Sequence, residues 1–230
     1  FTWSNGLFNL TQILYYFTDY KYDMRISISK IVNNSWYQCY LSSPNTIINN
    51  PVELVQFKKN GMYSVNNKKT IQLLFVGRLI KLKNPMLPIL AMKHIIAKYP
   101  KIHLNIVGEG PEKEKLVKYI KDNSLENYVS IIGLTNDVEK YYEKSDILIV
   151  SSNWTSGIPL VSLEAAMYKI PLLLPDVGGI KEFFRNNETA ILYKHGNVLD
   201  LTTKLIELIE DNELGQKIAS NAITKLSKKY

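Results

Sequence analysis

The sequence has a single cysteine, Cys39, and three scattered histidines, His94, His103 and His195. One thiol forms no internal disulfide, and ligands so few and so dispersed build no Cys/His metal cage. Both features point to a reducing, cytoplasmic setting. Long apolar runs are lacking too: pieces such as Leu172 to Leu174 fall far short of the ~18 residues that a membrane-spanning helix needs. Nothing at the N-terminus has the pattern of a secretory leader. No basic run is interleaved with aromatics and no zinc-finger or RNA-binding signature occurs, so no nucleic-acid partner is expected. Because the chain opens at Phe1 and not at Met, it is expected to be a fragment or processed product, incomplete at both ends.

What is present is ordinary globular composition, 46% hydrophobic, 11% aromatic and 21% charged over 230 residues. At roughly 100–200 residues per domain, that length makes one or two domains with a substantial core. Lysine and arginine number 28 against 21 acids, a formal charge of +7, which favours phosphorylated ligands or an acidic membrane surface. For lysines on helix exteriors, such as Lys113, Lys115, Lys118 and Lys121, solubility is explanation enough.

Periodicity divides the chain. Residues 1–50 are rich in Tyr and Asn; Leu7, Leu10, Leu14 and Phe17 predict a helix over 7–20, and short strands are expected at 26–32 and 46–48. Asn49-Asn50-Pro51 breaks the pattern, and the polar stretch 58–69 with its Asn60-Gly61 turn signal marks a joint. From Ile71 onward the pattern is regular. Strands are predicted at 71–76, 102–107, 129–132, 147–150, 171–174 and 190–192. Helices are predicted at 85–99, 111–123, 138–144, 159–168, 179–185, 198–211 and 213–227. Strands apolar on both faces and alternating with helices indicate a doubly wound parallel α/β sheet.

In such a sheet ligands bind at the carboxyl ends of the strands. The first loop, Gly77 to Asn84, holds Arg78, Lys81 and Lys83 beside a strand end, which suits a dianion; the alternative is an exposed polar loop. The second, Gly108-Glu109-Gly110-Pro111-Glu112-Lys113, matches only the start of a dinucleotide fingerprint. Lys113 replaces the third glycine, which close helix packing needs, so the glycines read as a tight turn. In the third, Ser151 to Ala166, Gly157 allows close backbone approach. The helix start near Pro159 offers the N–H groups of Leu160 and Val161 to an anion. Glu164 lies further in among apolar neighbours, where an acid is expensive unless something bonds to it; a ribose diol would do so, an exposed helix face being the alternative. Asn9, Asn33, Asn153 and Asn187 match the glycosylation pattern by chance in an Asn-rich chain.

At these residues the sequence resembles the donor-binding lobe of the family 4 (group 1) retaining glycosyltransferases of the GT-B fold. The likeness runs from about Thr46 to Lys225. It is carried by FVGRLIKLKNP (75–85), LNIVGEGPEKEKL (104–116), SIIGLTNDVEKYYEKSDILIVSS (130–152) and SGIPLVSLEAAMYKIPLLLPDVGGIKEFF (156–184), in order and at the family's spacings. IINNPVE (47–53) is similar to the family's interdomain joint. The resemblance implies residues 1–50 as the end of an incomplete acceptor-side lobe and 51–230 as a Rossmann-like lobe that binds a nucleotide diphosphate sugar.

Residue by residue, it implies that Arg78 and Lys83 grip the donor diphosphate. Gly77 is the turn that carries Arg78, and Gly157, Ile158, Pro159, Leu160 and Val161 form the glycine turn and helix start under the phosphates. Leu134 and Thr135 pack against the base, and Glu164, the second glutamate of an E-x7-E motif, holds the ribose. The first glutamate of that motif falls on Ser156, a departure near the transferred sugar. The implied activity is sugar transfer with retention to a glycan or lipid-linked acceptor, without cofactor or metal; no Asp-x-Asp occurs in the chain. Net charge +7 would help peripheral contact with an anionic membrane on its inner face. The rival reading, favoured by Ser156, is a catalytically inactive nucleotide-sugar-binding lobe or partner subunit.

Overall fold

The computed structural model describes residues 25–27, 29–31, 45–48 and 70–229. The helix expected at 7–20 and the joint at 58–69 lie outside them. Two parallel strands, β1 (Arg25–Ser27) and β2 (Asn45–Ile47), form a small sheet. The strand expected over 26–32 is shorter than its alternating pattern suggests. It stops at Ser27, and Lys30 and Ile31 are helical. The reason is distant in sequence: the Glu182 carboxylate accepts the backbone N–H of Lys30 at 2.8 Å and of Ile31 at 2.9 Å, satisfying a helix start.

The rest of the chain alternates strand and helix: β3 (Ile71–Val76), α1 (Met86–Ile95), β4 (Ile102–Val107), α2 (Lys113–Asp122), β5 (Val129–Gly133), α3 (Glu139–Lys144), β6 (Ile147–Ile149), α4 (Leu160–Met167) and β7 (Leu172–Pro175). A 3₁₀ turn (Gly178–Glu182), β8 (Ile191–Tyr193), α5 (Val198–Glu210) and α6 (Asn212–Lys229) complete it. The expected helix at 85–99 ends early as regular α-helix. Pro100 bars the helical conformation at Tyr99, and the turn tightens so that Lys98 and Tyr99 both donate to the Ile95 carbonyl.

The six strands lie in the order β5-β4-β3-β6-β7-β8, all parallel. The chain winds outward from β3 through β5, then returns to the far side of β3. Adjacent strands β3 and β6 therefore send their following loops in opposite directions, which opens a crevice at their carboxyl ends. One face of the sheet packs Leu73, Phe75 and Leu104 against α1, α2 and α5; the other packs Leu74, Leu148 and Leu172 against α4, α6 and the 3₁₀ turn. β6 and β7 are buried on both faces as expected. β3 to β5 are not: Gln72, His103, Asn105 and Ser130 are half-buried on the Leu74 face. They bond to one another there, His103 Nε2 with Ser130 Oγ at 2.9 Å and Asn105 Nδ2 to Gln72 Oε1 at 3.0 Å.

Candidate functional site

Two loops build the crevice. The loop after β3 leaves the sheet at Gly77 and is held against the loop after β4: Gly77 N–H donates to the Val107 carbonyl at 3.0 Å and Leu79 N–H to that of Glu109 at 2.8 Å. A Cβ on Gly108 would stand 1.9 Å from the Gly77 carbonyl oxygen. The Gly-Glu-Gly sequence is thus glycine-rich because two backbones meet there. This sharpens the reading of those glycines as a turn and gives the incomplete fingerprint its reason.

The loop after β6 is tied to the loop after β3 by Asn153 and Ser151, to which sequence reasoning gave no part in the site. Asn153 N–H donates to the Leu82 carbonyl at 2.8 Å, its Nδ2 to that of Lys81 at 3.0 Å, and its Oδ1 accepts from Asn84 Nδ2 at 3.3 Å. The Ser151 hydroxyl reaches the carbonyl oxygens of Lys83 and Asn84 at 3.0 and 2.8 Å. Asn153, matched by pattern to a glycosylation signal, is here a loop staple. On the far side, a Cβ on Gly179 would stand 2.6 Å from Gly157 Cα, so the Gly178–Gly179 turn after β7 packs directly beneath the loop after β6.

A cavity of about 400 Å³ lies between these loops. It is lined by Gly77, Arg78 and Lys83 from the first and by Trp154 to Val161 from the second. Arg78, Lys83, Ser156 and the segment Gly157, Ile158, Pro159, Leu160 and Val161 therefore face one space. Pro159 precedes α4 with extended backbone, and the first-turn N–H groups of Leu160 and Val161 have no acceptor within the helix. Lys83 is half-buried; burial first, and the Arg78 charge second, hold its ammonium below the ordinary lysine pKa. The Thr155 hydroxyl, 7% exposed as a residue, has no hydrogen-bond partner among the described residues.

A second cavity of about 390 Å³ adjoins the first along a shared wall of Val76, Gly77 and Arg78. Leu134, Thr135, Val138, Glu109 and Glu164 line it. Leu134 is 81% exposed, an apolar surface offered to solvent at the mouth. Glu164 is half-buried on α4 and belongs to this cavity, whereas Ser156 belongs to the first; Arg78 borders both.

Sequence reasoning missed the partner of Glu164. The Tyr142 hydroxyl, on α3, donates to Glu164 Oε2 at 2.6 Å. Burial, then the Glu164 charge, pushes the phenol pKa far above its ordinary value, so it stays a donor. A signal was available: Tyr141 and Tyr142 are a pair of aromatic residues in the otherwise charged stretch Glu139-Lys140-Tyr141-Tyr142-Glu143-Lys144, and Tyr142 is the buried one. Among the described residues no cluster of three metal-ligating side chains occurs, and no helix is long and apolar enough to cross a membrane.

A doubly wound parallel sheet, with two joined cavities at the carboxyl ends of its strands and paired cations in one of them, defines a protein of the Rossmann-like α/β class. The chain belongs to the group 1 glycosyltransferases: the family described as Glycosyl transferases group 1 matches residues 58–225. It is 30% identical over 193 residues to an uncharacterized glycosyltransferase of Haemophilus influenzae, covering 84% of this chain and 53% of that protein. It is 28% identical over 156 residues to the poly(ribitol-phosphate) alpha-N-acetylglucosaminyltransferase of Staphylococcus aureus, covering 67% and 31%. Among solved GT-B structures, Anabaena HepE in complex with UDP and glucose superposes with a TM-score of 0.82 at 19% identity, covering 99% of this chain and 64% of that one. The chain thus matches 53% and 31% of the length of these two curated relatives.

Proposed function

We propose that the chain is the donor-binding lobe, residues 51–230, with the end of an acceptor-side lobe, of a retaining glycosyltransferase that moves a sugar from a nucleoside diphosphate sugar to a glycan or lipid-linked acceptor without metal or cofactor. The observation that carries this reading is the convergence of Arg78, Lys83 and the start of α4 on one cavity that opens into a second lined by Leu134, Thr135 and Glu164. A diphosphate in the first cavity and a nucleoside in the second would share Arg78 between them.

When the bond between the sugar and the diphosphate breaks, negative charge gathers on the departing phosphate oxygens. The Arg78 guanidinium can meet two of them side by side, Lys83 supplies a point charge, and the Leu160 and Val161 N–H groups add fixed dipoles. Such pre-organised donors stabilise charge where it develops, the role a divalent cation plays in other transferases. Burial and the Arg78 charge disfavour the Lys83 cation, and a diphosphate beside it would favour that form. Net charge +7 supports docking of the whole protein at an anionic membrane surface, where a lipid-linked acceptor would reside.

The test is calorimetry with UDP, GDP, ADP and CDP, UDP first because HepE was solved with it. Binding of one diphosphate, weakened by about 1.5–3 kcal/mol in Arg78→Ala and in Lys83→Ala with no loss of melting temperature, is expected for hydrogen bonds to a charged group. Binding that ignores both substitutions overturns the reading. One observation favours a second reading, a lobe that binds nucleotide sugar without transferring it. Ser156 stands where the resemblance expects a glutamate, and its carbonyl already accepts a hydrogen bond from the Ser29 hydroxyl.

A further inference from the structure

The second cavity contains one acid whose environment is unusual. Glu164 projects from α4, a helix that is otherwise buried on most sides, and this half-buried residue lines the cavity together with Leu134 and Thr135. Its Oε2 accepts from the Tyr142 hydroxyl at 2.6 Å, a short charge-assisted bond. Among the described residues Oε1 has no hydrogen-bond partner. Tyr142 itself is 1% exposed and stacks on Tyr168, with ring centroids 5.4 Å apart and planes 18° from parallel. Tyr168 caps the end of α4 and is also buried. The phenol is thus gripped by the same helix that carries the acid, and its own helix, α3, packs on β3.

We propose that Tyr142 is a positioning residue: its hydroxyl holds the Glu164 carboxylate in the one orientation that leaves Oε1 facing the cavity, where it accepts from the hydroxyls of a ribose. The proposal rests on the reading of this cavity as a nucleoside site. A carboxylate on a flexible glutamate side chain samples several rotamers, and an ionised one offers about four lone-pair sites. Fixing Oε2 removes the competing orientations before a ligand arrives, which is the physical content of pre-organisation. The phenol performs this as a permanent donor. Burial and the neighbouring carboxylate disfavour its ionisation, so it neither takes a proton nor releases one in any working range.

A core tyrosine whose hydroxyl merely found an acceptor would make the same bond, and the test must separate the two. Affinities of the four nucleoside diphosphates and of their 2′,3′-dideoxy forms are measured by calorimetry on the full chain, its Tyr142→Phe and Glu164→Gln variants and the double variant. Tyr142→Phe is expected to weaken the ribonucleotide about tenfold and to leave the dideoxy form within twofold. Glu164→Gln is expected to show the same selectivity, and adding Tyr142→Phe to it to change neither ligand further. Equal weakening of both forms by Tyr142→Phe, or no effect on either, overturns the proposal.

If Tyr142→Phe alone does not fold, the double variant, which leaves no unpaired buried charge, decides against Glu164→Gln by the same comparison. If Glu164→Gln affects both forms alike while Tyr142→Phe discriminates, Tyr142 reaches the ribose by another route and the stated role fails. If no diphosphate binds the unmodified chain, the nucleoside reading itself falls, and the role of Tyr142 with it.

Discussion

At the scale of single residues, the two cations of the first cavity are not equivalent. Arg78 presents a planar fork of donors, whereas Lys83 is a point charge held below the ordinary lysine pKa by burial and by Arg78. The sign follows. With a folded pKa lower than the unfolded one, Lys83 carries a stability penalty at pH values below its folded pKa, and the penalty fades as pH rises through the unfolded value. Diphosphate affinity runs the other way, because the ligand needs the protonated amine. Affinity is therefore expected to decline on the alkaline side earlier than an ordinary lysine would allow, and Lys83→Arg to flatten that decline. A titration of diphosphate binding between neutral and alkaline pH checks both, and an unchanged profile in Lys83→Arg removes Lys83 from the site. Ser156 gives a second expectation. It lines the first cavity, and the resemblance sets it at the transferred-sugar end of that space and not under the phosphates, so Ser156→Glu should leave nucleoside diphosphate affinity nearly unchanged and alter only nucleotide-sugar binding or hydrolysis. Calorimetry of both ligands on both forms reads this directly; a proportional change in the two would mean that Ser156 does not border the sugar.

At the scale of elements, the site is held together by close backbone approach. Gly108→Ala would put a methyl group 1.9 Å from the Gly77 carbonyl at a backbone φ of +146°. A loop must move, and overpacking of this kind typically costs about 1–3 kcal/mol. Urea unfolding should show that loss, and diphosphate binding should weaken too, because the displaced loop carries Arg78. Gly196→Ala, with nothing within 4 Å of its added Cβ, faces only the left-handed backbone penalty and serves as the comparison. The element pattern itself was legible. Apolar runs such as Leu172 to Leu174 become strands because they are buried on both faces, and the helices between them match their expected positions to within a few residues. The pattern misled where burial was not decided locally. The alternation over residues 26–32 read as strand, yet Glu182 turns Lys30 and Ile31 into a helix start. Gln72, His103 and Asn105 lie on a sheet face that the continuous-strand reading took to be apolar.

At the scale of the whole molecule, few described contacts join the segment around β1 to the large sheet. Besides Glu182 on the N–H groups of Lys30 and Ile31, the Ser29 hydroxyl donates to the Ser156 carbonyl, tying this segment to the wall of the first cavity. Glu182→Ala leaves both N–H groups without their carboxylate and should cost about 1 kcal/mol, as loss of a helix cap does. Hydrogen exchange at Lys30 and Ile31 should accelerate, while exchange in β3 and β6 stays unchanged; acceleration across the large sheet would show that Glu182 acts on that sheet instead. Residues 1–230 alone should bind nucleotide but transfer sugar poorly. Orientation of an acceptor supplies roughly 7–11 kcal/mol of a barrier, and this chain spans about half or less of its curated relatives. Turnover on an ordinary acceptor at the rate of a complete two-lobed transferase would contradict this.

The sequence by itself determined the strand and helix order, the placing of cations and glycines at strand ends, and through its motifs the family. These are local properties: hydrophobic period, turn chemistry and the residues immediately after each strand. Only the tertiary structure decided that Arg78 borders two cavities, that Ser156 and Glu164 line different ones, that Asn153 staples two loops and that Tyr142 holds Glu164. Each of those facts joins side chains or backbones that come from different strand ends. Their meeting depends on the return of β6 to the far side of β3, and hydrophobic period, which reports only which face of an element is buried, carries no record of which neighbour covers it.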